Sequence, residues 1–412
     1  MKFLWIALFL SSGAYAQTPA VSSCALPKST SDVVTCLAQN HPDIVRTRSD
    51  GELTAGFLRS ARQFPNPVVY LETNKGKNVG DVVGEDNLIV SQLVEIGGKR
   101  AARAKRAEAE RDVVLAQSAA TRAQVRIETI LGLVKYRQLS NEIAVLNEAL
   151  TTYGRVHSQY AARPRLAPEQ QVSFGILKLA MGDYRHKLAA LMLEKRKVEN
   201  FFRLVPELNF EEAVKHLPQR FEKWPVMTAK ATDKSVTPRL LLAEAEIRQA
   251  DADVDLARAQ VIPDPTISLI STRQVEGFTE FQRLGIGVSL PIPLWNQNGG
   301  AKQTAVAQKT RAEIDYRKSI KMFELERQNL LNSYQGFVDT LAVSPAPKDI
   351  ESKHRNTESL FFRGVISGIL VVEAHRQILE FTQTQNELEL ETIQTLLSLY
   401  LFEGRLGDFK YD

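Results

Sequence analysis

Six histidines and two cysteines are the side chains in this sequence best suited to hold a metal or to react covalently, and their spacing supports neither. The histidines stand at positions 41, 157, 186, 216, 354 and 375, with no His-Glu-x-x-His or other paired-ligand spacing. Two thiols cannot complete a structural zinc set, so no metal site and no cofactor are expected. His354 and His375 flank a turn late in the chain, where they could brush a passing cation, but the simpler expectation is two solvated helix residues. Gly285-x-Gly287 sits inside an apolar run with no helix opening behind it, which is the wrong setting for a phosphate loop. No nucleophile has a base at a recognisable spacing, and no enzymatic activity is expected. Cys24 and Cys36 either form a disulfide, which an exported protein would retain, or sit as two unpaired thiols on one short helix.

A second chemical feature is the basic cluster Lys99, Arg100, Arg103, Lys105, Arg106 and Arg111. A solvated helix face or contact with anionic headgroups accounts for it, ahead of a place lining a pore. The whole chain carries 52 basic against 48 acidic residues, a balance that gives nucleic-acid binding no support.

The elements that position these residues come in two copies. The first runs from His41-Pro42 through Pro65-Asn66-Pro67 and an apolar stretch to Gly97-Gly98, then into a long Ala, Arg and Glu-rich segment. The second runs from Thr237-Pro238 through Pro263-Asp264-Pro265 and Gly287–Leu294 to Gly299-Gly300 and another such segment. Repetition at this scale indicates internal architectural symmetry. Lys2, the apolar run 3–10 and Ala14-Tyr15-Ala16 read as a signal peptide, 1–16, with the mature chain starting near Gln17. Cys24 does not lie at the cleavage point, so a non-lipidated product is expected.

The first repeat is expected over 17–203: a helix over 42–63, a β-hairpin over 68–96 with a long polar loop at 74–86, and a helical hairpin over 98–203. A proline-broken module at 204–236 separates it from the second repeat, 237–405, and a tail follows at 406–412. The second repeat has a helix over 239–260, a hairpin over 266–290 with its loop at 273–280, and a helical hairpin over 300–402 broken at Ser344-Pro345-Ala346-Pro347. From Gly98 to Tyr160 there is no proline, and about 60 residues of helix would be roughly 90 Å long, too long for a globular core. Apart from the leader, no stretch reaches the roughly 18 apolar residues that a membrane-spanning helix needs, so any crossing must be made by strands. Leu284, Ile286, Val288 and Leu290 alternate with Gly285, Gly287 and Ser289. A strand therefore places the bulky residues on one face, the pattern of a half-buried hairpin packed on a helix or of a lipid-facing barrel strand, and two hairpins flanked by rod-like helices, with no globular sheet to join, favour the second.

Taken in order, these segments resemble the TolC-type outer-membrane efflux channels, and more closely their heavy-metal (cation efflux) branch. The likeness rests on Asn40-His41-Pro42, Pro65-Asn66-Pro67, Gln92–Arg100, Pro291–Gly299 and Arg363-Gly364-Val365-Ile366-Ser367. It implies a mainly α chain with a small transmembrane β part, one subunit of a homotrimer with a twelve-stranded β-barrel continued by a periplasmic α-helical barrel. It also implies an equatorial role for 204–236 and two helical tips that meet a periplasmic adaptor protein, itself coupled to an inner-membrane resistance-nodulation-division pump. Arg163, Leu166, Arg363, Gly364 and Ser367 would lie at the docking tips, and Glu358 and Glu373 near the gate. The first tip reads Arg163-Pro164-Arg165-Leu166-Ala167-Pro168 where the family tends to have a glycine turn. A periplasmic coiled-coil adaptor and a structural helical rod are the alternatives, though an adaptor should add a compact domain of many short strands.

Overall fold

The computed structural model describes residues 24–78, 81–228, 237–345, 347–363 and 365–409. The expected signal peptide and Gly364 lie outside them. Two short helices open the fold, α1 (Thr30–Asn40) and α2 (Pro42–Ala61). Ser29 caps α1 by accepting from the Asp32 amide, and Pro42 starts α2 where its missing N–H costs nothing. Strands β1 (Val68–Asn78) and β2 (Asp81–Leu93) lead to α3 (Lys99–Ala161), whose 63 residues span about 95 Å. Helix α4 (Pro168–Phe202) runs back, and the short α5 (Phe210–Ala213) lies in the segment between the repeats. The second repeat supplies α6 (Pro238–Ala259), β3 (Thr266–Glu276), β4 (Thr279–Ser289), α7 (Gly299–Val343), α8 (Pro347–Phe362) and α9 (Gly368–Phe402).

The two hairpins pair with each other to form one antiparallel sheet of order β1-β2-β3-β4. Strands β2 and β3 join the repeats from Leu93 opposite Thr266 to Val83 opposite Glu276. Both expected loops are shorter than their composition suggests. Asn74 lies opposite Glu85 and Asn78 opposite Asp81, so most of 74–86 is strand. Arg273 lies opposite Gln282, and the turn shrinks to Gly277-Phe278 with Gly277 at φ 56°. Ladder hydrogen bonds are made by the backbone, so polar side chains extend a strand wherever neither face needs to be apolar.

Helix α3 is the spine. Toward its far end Leu139, Leu146, Tyr153 and Val156 pack with Leu177 and Tyr184 of α4 and Leu379 of α9. In its middle Val125 and Leu133 meet Val33 and Leu37 of α1 and Phe202, while Ile130 and Val134 meet Ile393 and Leu396 of α9. Near the sheet α6 lies between α3 and α7, and its buried alanines, among them Ala245, Ala252 and Ala257, let three helices approach closely. A disulfide joins Cys24 to Cys36, settling the open alternative and fastening the start of the described chain to α1.

Candidate functional site: sheet faces, junction and tips

Strand alternation gives the sheet two chemically different faces. One carries Val69, Val90, Leu269 and Ile286 in a single cross-strand row, with Leu71, Leu88 and Leu284 above it and Ile267 and Val288 below. Leu284, Ile286 and Val288 are 77, 80 and 71% exposed, an apolar surface that water would not leave uncovered. The opposite face is mixed: Glu72, Asn87, Thr272 and Arg283 form one row and Val68, Ser91, Ser268 and Gly287 another, with Tyr70, Ile89, Ile270 and Gly285 between them. These polar groups bond across strands, Thr272 Oγ1 donating to Asn87 Oδ1 at 2.7 Å and Ser91 Oγ meeting Ser268 Oγ at 3.0 Å. Gln92 interrupts the apolar face, but its amide donates to the Pro65 carbonyl at 2.9 Å rather than standing unpaired. Among the described residues, β1 and β4 each pair on one side alone, so both edges are open to another chain.

At the foot of the sheet, Gly97 and Gly98 turn the chain into α3 with φ 69° and 75°. A Cβ on Gly97 would stand 2.7 Å from Ile262 Cδ1 and 2.8 Å from its Cβ, so both conformation and space require glycine there. Four residues of the basic cluster pair with acids, while Arg100, Lys105 and Arg111 remain exposed as a solvated helix face would have them. Lys99 meets Asp264 at 2.7 Å, Arg103 pairs with Glu95, and Arg106 donates to Asp253 at 2.6 Å. Lys105 reaches Asp251 and Asp255 of α6, and Lys309 of α7 reaches Asp251 at 2.7 Å. Hydrogen bonds from Lys309 and then Lys105 hold the Asp251 carboxyl below its ordinary range. Arg100 instead lies over the Phe64 ring at 4.0 Å. The acids at 251, 253 and 255 were visible in sequence, but their facing of α3 depends on how the repeats dock.

Midway down the helices a buried polar cluster ties the segment between the repeats to α3 and α9. Glu389 accepts from Arg137 at 2.6 Å, from Gln138 at 3.0 Å and from Arg220 at 3.2 Å. Arg137 also donates to the Pro218 carbonyl. Burial pushes the Glu389 carboxyl up, but Arg137 and Arg220 outweigh it and hold it below its ordinary value. Nothing in the local sequence around Glu389 marks this cluster.

The two hairpin ends lie side by side. Gly368, the first residue of α9, packs so closely on the end of α3 that a Cβ would stand 3.2 Å from Tyr160 Oη and 3.3 Å from Val156 Cγ1. Arg163 and Arg363 are exposed, Arg163 reaching over the Tyr160 ring at 5.8 Å; Leu166 is half-buried and Ser367 is exposed. The gate candidates occupy different settings. Glu358 faces inward, accepting from Thr152 Oγ1 at 2.6 Å with His375 Nε2 at 3.5 Å, whereas Glu373 is exposed and bound by Arg376 at 2.6 Å. His375 is not the solvated residue expected: it is 2% exposed, its Nδ1 is 2.8 Å from the Val371 carbonyl, and its ring lies edge-on to Tyr153. The side chain of His354 lies outside those described.

Residues 235–405 match the family described as outer membrane efflux protein. The cobalt-zinc-cadmium resistance protein CzcC of Cupriavidus metallidurans is 24% identical over 337 residues, which cover 79% of this chain and 78% of that protein. Among solved structures, the outer-membrane channel OprN superposes with a TM-score of 0.70 at 14% identity, covering 96% of this chain and 97% of that one. The Campylobacter jejuni CmeC outer membrane channel gives 0.69 at 14% identity over 98% and 94%, and CusC gives 0.62 at 14% identity over 94% of each. The family's pattern thus covers the second repeat, and both repeats together share the fold of these solved outer-membrane channels.

Proposed function

We propose that three copies of this chain form a passive conduit through the outer membrane. It would receive cargo from an inner-membrane resistance-nodulation-division pump through a periplasmic adaptor. The observation that carries this reading is the sheet, with one exposed apolar face, an opposite face that carries polar rows, and two edges that no described strand covers. Four strands cannot close a membrane barrel whose usual minimum is about eight, whereas three copies supply about twelve. The adjoining tips, with Arg163, Leu166, Arg363 and Ser367, offer the adaptor a surface at the far end of the helices. Glu358 and Glu373 are the gate candidates, and selection would arise from lumen charge and gating without a catalytic step. The name of CzcC supports heavy-metal cations such as cobalt, zinc or cadmium as cargo. An adaptor or rod is disfavoured because the four-stranded sheet is the only sheet among the described residues and has the wrong faces for either.

Detergent-extracted protein should run as a trimer and open conducting pores in planar bilayers, and a water-soluble monomer stable without detergent would overturn the reading. Deleting the gene should sensitise cells to at least one of the three cations, and unchanged tolerance to all three would remove the cargo assignment while leaving the conduit.

A further inference from the structure

The apolar face of the sheet is too short for the membrane it is read as crossing. It is bounded above by Thr73, Asp86, Arg273 and Gln282, which share one cross-strand row. From Leu284 to Val288 the β4 strand advances about 13 Å, or about 10 Å along the membrane normal at a tilt near 40°, against an apolar band of about 25 Å. The missing depth must come from beyond the strand. The even-numbered row continues past the last strand residue, Ser289, as Leu290, Ile292 and Leu294, all exposed. Eight residue steps from Leu284 to Ile292 would cover about 26 Å along the chain and about 20 Å of depth, after which the chain turns, the Leu294 N–H donating to the Ile292 carbonyl at 2.9 Å. Ile292 and the adjoining Trp295 are 71% and 94% exposed, so no described residue of the subunit covers them. Pro291 and Pro293 lack the N–H groups needed to continue a ladder, so the stretch leaves the sheet as an arm rather than as more strand. The first repeat does the same more weakly, with Val94 and Ile96 exposed below β2.

Resting on the membrane-channel reading above, we propose that the arm Leu290–Trp295 lies in the phospholipid leaflet on the helix-bearing side of the membrane. Leu290, Ile292 and Leu294 sit among the acyl chains, and Trp295 sits at the headgroup level, where an indole finds both an apolar layer and hydrogen-bond partners. Continuity with the apolar face of β4 selects this occupant.

The test uses the full chain reconstituted into phosphatidylcholine vesicles whose acyl chains carry bromine at shallow positions. Subtracting the fluorescence of Trp295→Phe from that of the unaltered protein isolates Trp295 from Trp224. Trp295 emission should be lost to the bromines and protected from aqueous acrylamide. Quenching by acrylamide without quenching by bromine would put the arm in water, and protection from both would put it against another copy of the chain; either result overturns the inference. Leu284→Trp in the Trp295→Phe background, or Ile286→Trp if that variant does not assemble, reports on the barrel itself. If that tryptophan is quenched by bromine and Trp295 is not, the arm alone is wrong. If neither is quenched, the membrane reading falls with it.

Discussion

At the scale of single residues, the fold depends on a few side chains that local sequence does not mark. Glu389 is buried and shared by Arg137 and Arg220, so Glu389→Ala leaves a largely buried guanidinium without its carboxylate and should cost about 3–5 kcal/mol. Chemical denaturation compared with the unaltered chain would measure that loss. The same carboxyl carries a pH dependence of known sign. Its folded value lies below the ordinary 4.5, so its contribution is complete above that pH and is lost as pH falls through the lower, folded value. The stability gap between the unaltered chain and Glu389→Gln should therefore narrow on acidification below 4.5, and a gap that widened would contradict the assignment. Gly97 makes a separate demand. Gly97→Ala forces a left-handed conformation costing about 1–2 kcal/mol and a clash with Ile262 besides. Ile262→Gly, which removes the Cβ as well as the rest of the side chain, should relieve the clash and leave the backbone cost, a separation that a double-mutant cycle can measure.

At the scale of elements, α6 is held between the two repeats by charge as well as by its alanines. Asp251 alone receives Lys105 from α3 and Lys309 from α7. The pairs are exposed enough to be weak and screened by salt, so Asp251→Asn should lower thermal stability only slightly at low salt. The difference should vanish at about 1 M salt, where screening acts over roughly 3 Å, and a difference that persists would point to packing instead. This clasp also shows the limit of reading the chain alone. Helix α3 and the break before α8 were legible because helix formers and prolines act locally. The apolar face of β4 was legible because alternation is a property of one strand. The full length of β1 and β2 was not, because their polar ends are strand by virtue of partners rather than composition. The pairing of Lys105 and the burial of His375 were equally hidden, since each depends on which faces of distant helices meet. Lys105 and Asp251 are separated by 146 positions, and no spacing rule connects them.

At the scale of the whole molecule, adjacent residues of β4 should respond in opposite ways to the same substitution. Ile286 lies in the apolar row with Leu269 and Val90, while Gly285 lies opposite Ile270 on the other face. An arginine facing lipid near the middle of the membrane costs about 2–4 kcal/mol, and an assembly of three subunits would bear that cost three times over. Ile286→Arg should therefore deplete the detergent-extracted trimer. A Cβ at Gly285 meets nothing within 4 Å, so Gly285→Arg has room on the face that the proposed trimer would enclose. It should assemble normally and instead shift the pore's preference toward anions, because the added guanidiniums stand where ions pass. Trimer yield and reversal potential in planar bilayers separate the two effects. The opposite pattern, with Gly285→Arg failing to assemble and Ile286→Arg altering selectivity, would invert the two faces of the barrel. Equal loss in both would mean that the sheet packs against protein on each side and encloses no channel.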